Sequence, residues 1–402
     1  MTKKLLTLIL IAIITLALTP GTVWHTVSGG SLSDTGTDII IVDDHIFITG
    51  YTRSFGGTGY NTIIGKLTLD GTLVWLNAYG IGGDDIALSL VHDTGTNTLW
   101  AAGFTTAYGS RSMYAVQIQT DGTLLQQLIL DPGVAEKIIQ TDDGLVLAGW
   151  HAPDVYSIYP VITKIDRDGN TLWTITGENQ GRAYDICKTA NGLLAVGYKD
   201  TDTVSLPWVM QIDQQNNITE QVFPSRDDWF TEIQSIDKTE DNIIFGITSW
   251  NDTQIQTIVL KTDLNLNETW TTYLDDLIYG SDVKVFPDES IAVGSSDRTV
   301  RNGDATLVQL NKDGLEINRY TMGGEIEDWI NNIAVLPDGR CMFTGLTYSW
   351  GSPADRDIYT GMVQFEIEKS PGKNPAIFEK RQSGNGNSGG GCFIQVMWSS
   401  QV

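Results

Sequence analysis

Short apolar runs that end in glycine recur at nearly regular intervals along the chain. Runs such as HIFITG and LVLAG are too short for an amphipathic helix and are typical of strands buried in a sheet. The closing glycines lie about 49 residues apart on average. They are Gly50, Gly103, Gly149, Gly197, Gly246, Gly294 and Gly345. This spacing predicts an internal repeat with seven copies.

A second strand pattern follows most of these glycines and closes on a turn. It alternates apolar and polar side chains, as in IIGKLTLDG at residues 63–71 and VITKIDRDG at residues 161–169. The pairs Asp143-Gly144 and Asp168-Gly169 supply the positive φ that tight hairpins need. Each repeat therefore predicts four short antiparallel strands, which we name a, b, c and d in chain order, with the recurring glycine in strand b.

A repeat of about 49 residues that holds four strands is typical of one blade of a β-propeller. We therefore predict an all-β fold with seven four-stranded antiparallel blades. The seventh repeat stops after its strand c at residues 361–369, whereas residues 21–30, GTVWHTVSGG, match the strand-d text GTLVWLNAYG at residues 71–80. The N-terminal strand is therefore expected to complete the last blade and to close the ring.

The two ends of the chain differ from the repeats. Lys3 and Lys4 precede an apolar run at residues 5–18, which is typical of a signal peptide. We expect residues 1–20 to be a signal peptide or a signal anchor, residues 21–369 to form the propeller, and residues 370–402 to be a flexible tail rich in Gly, Ser and Asn. The protein is expected to be exported, to the cell surface or beyond it, and to meet a membrane only through a retained anchor. Cys392 lies in the tail.

The segments TDDGLVLAG at residues 141–149 and KIDRDGNTLW at residues 164–173, with their copies, resemble the β-propeller repeats of secreted and cell-surface bacterial and archaeal proteins. The resemblance implies the architecture of residues 21–369 and leaves the activity open, because such propellers have many functions. Repeats four and five depart from it, since Gln215-Asn216-Asn217 and Asn265-Leu266 replace the second Asp-Gly. The c–d turns of those two blades are consequently the least well defined by the sequence.

The tryptophans that recur in strand d have two readings. A large aromatic side chain at a fixed place in a blade is expected to pack against the neighbouring sheet. The same place holds tryptophan in quinone-dependent dehydrogenases, but the eight blades and vicinal cysteines of that family are not found here. The residues are Trp24, Trp75, Trp173 and Trp270.

Charge and composition narrow the function classes. The chain carries 25 Lys and Arg against 49 Asp and Glu, a formal net charge of −24, which excludes a nucleic-acid-binding role. The four histidines occupy inequivalent places in the repeat, and neither a GxSxG nor an HExxH motif occurs. We therefore predict a monomeric, non-enzymatic protein without an organic cofactor.

Acidic pairs recur at the connection from strand d of one blade to strand a of the next. The pairs are Asp84-Asp85, Asp227-Asp228, Asp275-Asp276 and Glu327-Asp328. Carboxylates at such places are candidate ligands for Ca²⁺. They lack the Asp-x-Asp-x-Asp-Gly spacing of a calcium loop, and Asp is also a common solvated turn residue. Both readings stay open.

Aromatic residues are concentrated in the variable b–c loops. In a blade of four antiparallel strands the b–c and d–a connections share one face of the disc, which we name the loop face. The candidate ligand-binding residues on it are Tyr51, Phe55, Tyr108, Tyr156, Tyr159, Trp208, Trp250, Tyr348 and Trp350. Aromatic side chains beside Asp and Asn suit stacking on sugars or anchoring a protein partner.

The sequence thus favours an exported propeller that binds a protein or carbohydrate partner through the loop face. One alternative is a polysaccharide hydrolase or lyase that uses the same face, which would need two carboxylates or a pair of Tyr and His facing one cleft. A second alternative is a structural component of the cell envelope without a ligand.

Overall fold

The structure is a computed structural model that describes residues 22–154, 157–201, 203–225, 228–297, 303–351 and 355–365. In these ranges the chain forms strands β1 to β28 and no helix. The strands form seven four-stranded antiparallel sheets that surround one axis, so the predicted all-β propeller of seven blades is confirmed. No element in these ranges has the helical length and apolar character of a membrane span.

The N-terminal strand and the first three blades follow in chain order, with connections of one to eight residues between strands. Strand β1 is Thr22–Ser28. Blade 1 contains β2 (Asp34–Val42), β3 (His45–Thr52), β4 (Asn61–Thr68) and β5 (Leu73–Tyr79). Blade 2 contains β6 (Asp85–Asp93), β7 (Thr98–Thr105), β8 (Ser112–Gln119) and β9 (Leu124–Pro132). Blade 3 contains β10 (Val134–Thr141), β11 (Gly144–His151), β12 (Tyr159–Ile165) and β13 (Thr171–Thr176).

The next three blades repeat this order, and the seventh blade has three strands of its own. Blade 4 contains β14 (Gly181–Thr189), β15 (Gly192–Asp200), β16 (Ser205–Asp213) and β17 (Ile218–Val222). Blade 5 contains β18 (Phe230–Lys238), β19 (Asn242–Trp250), β20 (Ile255–Asp263) and β21 (Glu268–Leu274). Blade 6 contains β22 (Leu277–Val285), β23 (Ile291–Asp297), β24 (Asp304–Leu310) and β25 (Glu316–Met322). Blade 7 contains β26 (Asp328–Val335), β27 (Arg340–Thr347) and β28 (Asp357–Gln364).

Strand β1 completes blade 7 as the sequence predicts. Its order in the sheet is β1-β28-β27-β26, and Trp24 lies opposite Met362 in the antiparallel register. The Trp24 indole Nε1 also donates a hydrogen bond of 3.0 Å to the Leu69 carbonyl in the c–d turn of blade 1. The N-terminal strand therefore links the last blade to the first.

The core lies between neighbouring blades rather than within one sheet. Phe47 and Ile64 of blade 1 pack against Leu90 and Tyr114 of blade 2, and equivalent apolar clusters follow around the ring. The outer d strands are largely exposed, because they have a neighbour blade on one side only. Apolar burial between blades is the main force that holds the ring together.

The recurring tryptophans of strand d pack against the next blade, as the packing interpretation predicts. The Trp24 ring lies against Gly71, and the Trp270 ring lies against Gly314, where in each case a Cβ atom would come within 3.0 Å of the indole. The Trp270 Nε1 donates to the Lys312 carbonyl at 3.0 Å. These glycines have φ values of 86° and 83°, so the turn and the contact both require glycine there.

The c–d turns of blades 4 and 5 keep the geometry of the other blades without the glycine. Asn216 (φ 63°) and Leu266 (φ 64°) adopt the left-handed conformation that Gly169 (φ 89°) has in blade 3. Asp213 and Asp263 each accept hydrogen bonds of 2.8 to 2.9 Å from the amide four residues on, which holds the turn closed. The signal segment at residues 1–20 and the tail at residues 370–402, with Cys392, lie outside the described residues.

Candidate functional site

Each innermost strand carries a β-bulge at the same height along the axis. The a strands contact one another around the ring, so their side chains line the axial channel. A bulge adds a residue and redirects the side chains beside it, and bulges are enriched near binding and active sites. The residues that follow the bulges form one ring around the channel and are Asp38, Ser89, Lys137, Asp185, Ser235, Asp282 and Asn332.

Several side chains of this ring hold neighbouring blades together. Asp38 accepts a hydrogen bond of 2.9 Å from the Leu90 amide in the next blade. Asp185 does the same with Ile236 at 3.0 Å, and Asp282 with Ile333 at 2.9 Å. A buried carboxylate that accepts backbone N–H groups replaces water bonds lost on folding. These acids therefore have a structural function at the blade junctions.

Two lysines neutralise part of the charge of the ring. Lys137 lies 3.3 Å from Asp38, and Lys284 lies 2.7 Å from Asp282. Burial alone would lower the pKa of Lys137, but the carboxylates of Asp38, Asp185 and Asp282 raise it overall. Burial raises the pKa of Asp185, and the two lysines oppose this effect. An ionic network therefore links the inner strands at this level.

A cavity of about 370 Å³ opens on the loop-face side of this ring. Its polar lining includes Glu136, Tyr184, Gln234 and Asn331, which are the bulge residues of blades 3, 4, 5 and 7. Tyr51 and Arg356 line it from the opposite side. We name this space the mouth cavity.

A second cavity of about 540 Å³ adjoins the mouth cavity at blade 5. Gln234 lines both cavities, and Glu232, Trp250 and Asn251 line the second one. Trp250 stacks on Phe230 with ring centroids 5.6 Å apart and planes 14° apart, and Phe230 is itself exposed. An exposed stacked aromatic pair beside amide and carboxyl groups can bind a polar ring on its face.

Two carboxyl groups beside the cavities have shifted acidities. The Tyr184 hydroxyl donates to Glu232 at 2.9 Å, and the Gln234 amide donates to the same oxygen at 3.0 Å. Burial raises the pKa of Glu232, and burial together with the Glu232 charge raises the pKa of Tyr184. Burial also raises the pKa of Glu136, whose Oε1 accepts a bond of 2.7 Å from the Trp150 indole.

The aromatic residues that the sequence singled out have different surroundings. Tyr51 and Trp250 line the cavities, and Tyr108 is 76% exposed in its loop. Phe55 and Trp350 pack against apolar clusters with part of their surface open. Tyr159 and Tyr348 are half-buried, and Tyr156 lies outside the described residues.

Trp208 requires a correction of its expected position in a b–c loop. It lies inside β16, opposite Gly197 in the register, and its side chain is completely buried. Tyr114 and Tyr359 occupy the same place in blades 2 and 7, opposite Gly103 and Gly345. A Cβ atom at Gly197 would come 1.9 Å from the Arg182 carbonyl, so the bulged strand a is what requires glycine there. The Trp208 ring packs in the apolar core between blades.

The described members of the acidic pairs shape the blade connections. Asp84 accepts a bond of 3.0 Å from the Tyr60 amide, and Asp85 accepts the amides of Ile81 and Gly82 at 2.7 and 3.0 Å. Asp328 in the last pair accepts the Gly324 amide at 2.9 Å. These bonds fit the turn interpretation.

No set of three or more His, Cys, Asp or Glu side chains suited to a metal ion occurs within the described ranges. Asp275 is exposed, and Asp276 pairs with Arg319 at 2.8 Å. Asp228 lies in a turn, and Asp227 lies outside the described residues. Calcium binding by these pairs stays a prediction.

The sequence identified Tyr51 of the mouth cavity but not the bulge residues that line it. Strand patterns assume strict alternation, and a bulge breaks that alternation. The available signal was a polar pair in the middle of an apolar strand a. The pairs are Thr37-Asp38, Glu136-Lys137, Gln234-Ser235 and Asn331-Asn332.

No protein-family model matches this sequence, and a search of curated proteins finds no match. Solved structures with the same fold include the polysaccharide lyase Uly1, with a TM-score of 0.56, 10% identity, and coverage of 88% of this chain and 94% of that chain. The Neurospora crassa Pan2 WD40 domain matches with a TM-score of 0.50 and 10% identity, and the match covers 83% of this chain and 90% of that chain. The Pseudomonas aeruginosa periplasmic gluconolactonase PpgL matches with a TM-score of 0.50 and 12% identity, and the match covers 72% of this chain and 85% of that chain. At these identities the likeness establishes the β-propeller fold alone.

Proposed function

We propose that this β-propeller is an exported binding protein whose ligand is a carbohydrate chain held at the mouth cavity and its neighbour on blade 5. The observation that carries the proposal is the combination of two adjoining cavities with converging amide, hydroxyl and carboxyl groups and an exposed aromatic stack. A concave site with a few placed polar groups is typical of small-ligand and sugar recognition. Ligand binding on loops above a rigid scaffold is also the usual arrangement.

The chemistry of the lining favours sugars over an apolar partner. Gln234, Asn251 and Glu232 offer both donors and acceptors, which hydroxyl groups of a sugar can satisfy in pairs. Trp250 and Phe230 offer a flat apolar surface for the face of a sugar ring. The negative net charge and the predicted export are in keeping with a ligand outside the cell.

Glycan-array screening followed by calorimetry on the full chain tests the proposal. We expect Gln234→Ala and Trp250→Ala each to weaken binding of the retained glycan about tenfold or more, because each removes a direct contact. Leu315→Ala is the control, since this side chain is 66% exposed in a c–d turn on the opposite face. Equal affinity of all three variants and the wild type would refute the site.

A catalytic function on a polysaccharide is the second candidate, and the Tyr184–Glu232 hydrogen bond favours it. A neutral tyrosine beside a carboxyl group of raised pKa can serve as a proton donor and acceptor. Tyr184→Phe removes the hydroxyl and keeps the ring, so it should abolish turnover while binding persists. Reducing-end and ultraviolet assays of product measure hydrolysis and elimination, and a wild type that forms neither product excludes the enzyme.

A further inference from the structure

The described arginines fall into two groups with different partners. Arg167, Arg319 and Arg340 form ion pairs of 3.0, 2.8 and 2.9 Å with carboxylates. The other four have no carboxylate within ion-pair distance among the residues that the structure describes, and they lie on the loop-face side of the blades. They are Arg53, Arg111, Arg182 and Arg356.

These four guanidinium groups lie over aromatic rings instead. Arg182 and Arg111 lie 4.8 and 5.7 Å from the centroid of the same ring, that of Trp150. Arg356 lies 5.6 Å from the Tyr51 ring, and Arg53 lies 4.8 Å from the Tyr60 ring. The aromatic face stabilises the cation without neutralising it. We name Arg182, Arg111 and Trp150 the Trp150 group, and we name Arg356, Arg53, Tyr51 and Tyr60 the Tyr51 group.

Members of the Tyr51 group line the mouth cavity, and the Trp150 group adjoins residues that line it. Arg356 and Tyr51 line it directly, and the Arg356 Nη2 donates to the Tyr51 hydroxyl at 3.1 Å. Arg182 lies on the same strand as the lining residue Tyr184, and Trp150 is bonded to the lining residue Glu136. Positive charge is therefore placed on two sides of the proposed binding site.

A shortage of acidic residues does not explain why these arginines lack an ion pair, because the chain has 49 Asp and Glu. The Nε atoms of Arg182 and Arg356 are buried and have no hydrogen-bond acceptor within the part of the chain that the structure describes. A buried donor without an acceptor is costly, and a charged one more so. Glu136 and Glu232 act on Arg182 through space without reaching ion-pair distance. An oxyanion of a ligand would supply the missing acceptor in a planar, two-pronged geometry that suits arginine.

We infer that the ligand at the mouth cavity is an acidic polysaccharide, whose carboxylate or sulfate groups bind Arg182 and Arg356 with Arg111 and Arg53 beside them. The inference rests on the proposed function and specifies its substrate class. A glycan fits better than a nucleic acid because its sugar rings can lie on the Phe230–Trp250 pair. A long nucleic acid would also extend beyond the arginines at the mouth and meet the net charge of −24 on the rest of the molecule.

Calorimetry on the full chain with matched ligands tests the inference. The acidic probes are unesterified oligogalacturonate for carboxylate and chondroitin sulfate oligosaccharide for sulfate, and the neutral probe is fully methyl-esterified oligogalacturonate of the same length. We expect at least one acidic probe to bind about tenfold or more tightly than the neutral probe, with an affinity that falls as salt is added. The stronger of the two acidic probes identifies the anionic group.

Arginine variants locate the charge. Arg182→Met and Arg356→Met should each weaken binding of the acidic probe about tenfold and leave binding of the neutral probe unchanged. Arg182→Lys keeps the positive charge but lacks the planar guanidinium group, so it should recover part of the lost affinity. It also guards against misfolding of Arg182→Met. Arg340→Met is the control, because Arg340 pairs with Asp338 in an a–b turn on the opposite face.

The outcomes separate this inference from the proposed function. Equal affinity for acidic and neutral probes, with unchanged arginine variants, overturns the acidic ligand and leaves the carbohydrate site standing. Failure of every glycan to bind overturns both. Binding of poly-L-glutamate as tightly as oligogalacturonate, with the same losses in the arginine variants, overturns the carbohydrate and replaces it with an acidic protein.

Discussion

At the scale of single residues, the axial acids show how one residue type serves two purposes in this protein. Asp38, Asp185 and Asp282 belong to the ring of residues on the inner strands, where unpaired charges would be expected to bind a ligand. Their oxygens instead accept backbone amides of the next blade, and Lys137 and Lys284 neutralise part of their charge. Bulge residues one position earlier line the mouth cavity and are already hydrogen-bonded, since Glu136 accepts from Trp150 and Gln234 donates to Glu232.

Removal of one axial acid should weaken the ring. Asp185→Ala leaves the Ile236 amide of the next blade buried without an acceptor, so we expect the free energy of unfolding to fall by about 1–3 kcal/mol. Chemical denaturation followed by tryptophan fluorescence measures this. Asp241→Ala, at an exposed a–b turn of blade 5, should stay within about 0.5 kcal/mol of the wild type. Equal losses in the two variants would contradict a structural function of the ring.

At the scale of elements, strand β1 closes the ring by pairing with β28 and carries a half-buried histidine. The His25 ring contacts the Trp350 and Tyr359 rings edge-on, with centroids 5.2 and 5.6 Å away. Its Nδ1 is buried and has no hydrogen-bond partner among the described residues. Burial lowers the pKa of His25, and the Asp328 charge opposes this effect only in part. The neutral imidazole is therefore the form that fits the closed ring.

The closure should weaken in acid because of this residue. A pKa that is lower in the folded state than the unfolded value of about 6.5 gives stability that is complete above that value and is lost as the pH falls. His25→Phe keeps an aromatic ring at this place and cannot titrate. We expect its melting midpoint to match or exceed that of the wild type at pH 7.5, and the difference to grow as the pH falls to 5. Parallel pH profiles of the two proteins would contradict this.

At the scale of the whole molecule, the ring determines which parts of a long chain share a site. Residues of blades 7 and 1 meet those of blades 3, 4 and 5 at the mouth cavity, although Tyr51 and Arg356 are 305 positions apart in the chain. Most of the charge of −24 is spread over turns and exposed strands, whereas the unpaired arginines gather around the mouth. A negative molecule with positive groups at its opening would repel most anions and retain those that fit.

The strands, the number of blades and the closure by β1 could be predicted from the sequence alone. Each blade is built from neighbouring strands joined by short turns, so apolar alternation, glycine and Asp-Gly pairs report it directly. The c–d turns of blades 4 and 5 show the limit of such signals, because Asn216 and Leu266 adopt the same positive φ without glycine.

The position of the candidate site follows only from the tertiary structure. The bulges of the inner strands turn Glu136, Tyr184 and Gln234 toward the mouth, and their effect on side-chain direction depends on the register with the partner strand. Trp208 shows the opposite case, since the contact between blades buries a ring that the sequence placed on the surface. Strand pairing is local in this chain and could be predicted from the sequence. The packing of blades around an axis joins residues far apart in the chain, so the sequence pattern does not report it.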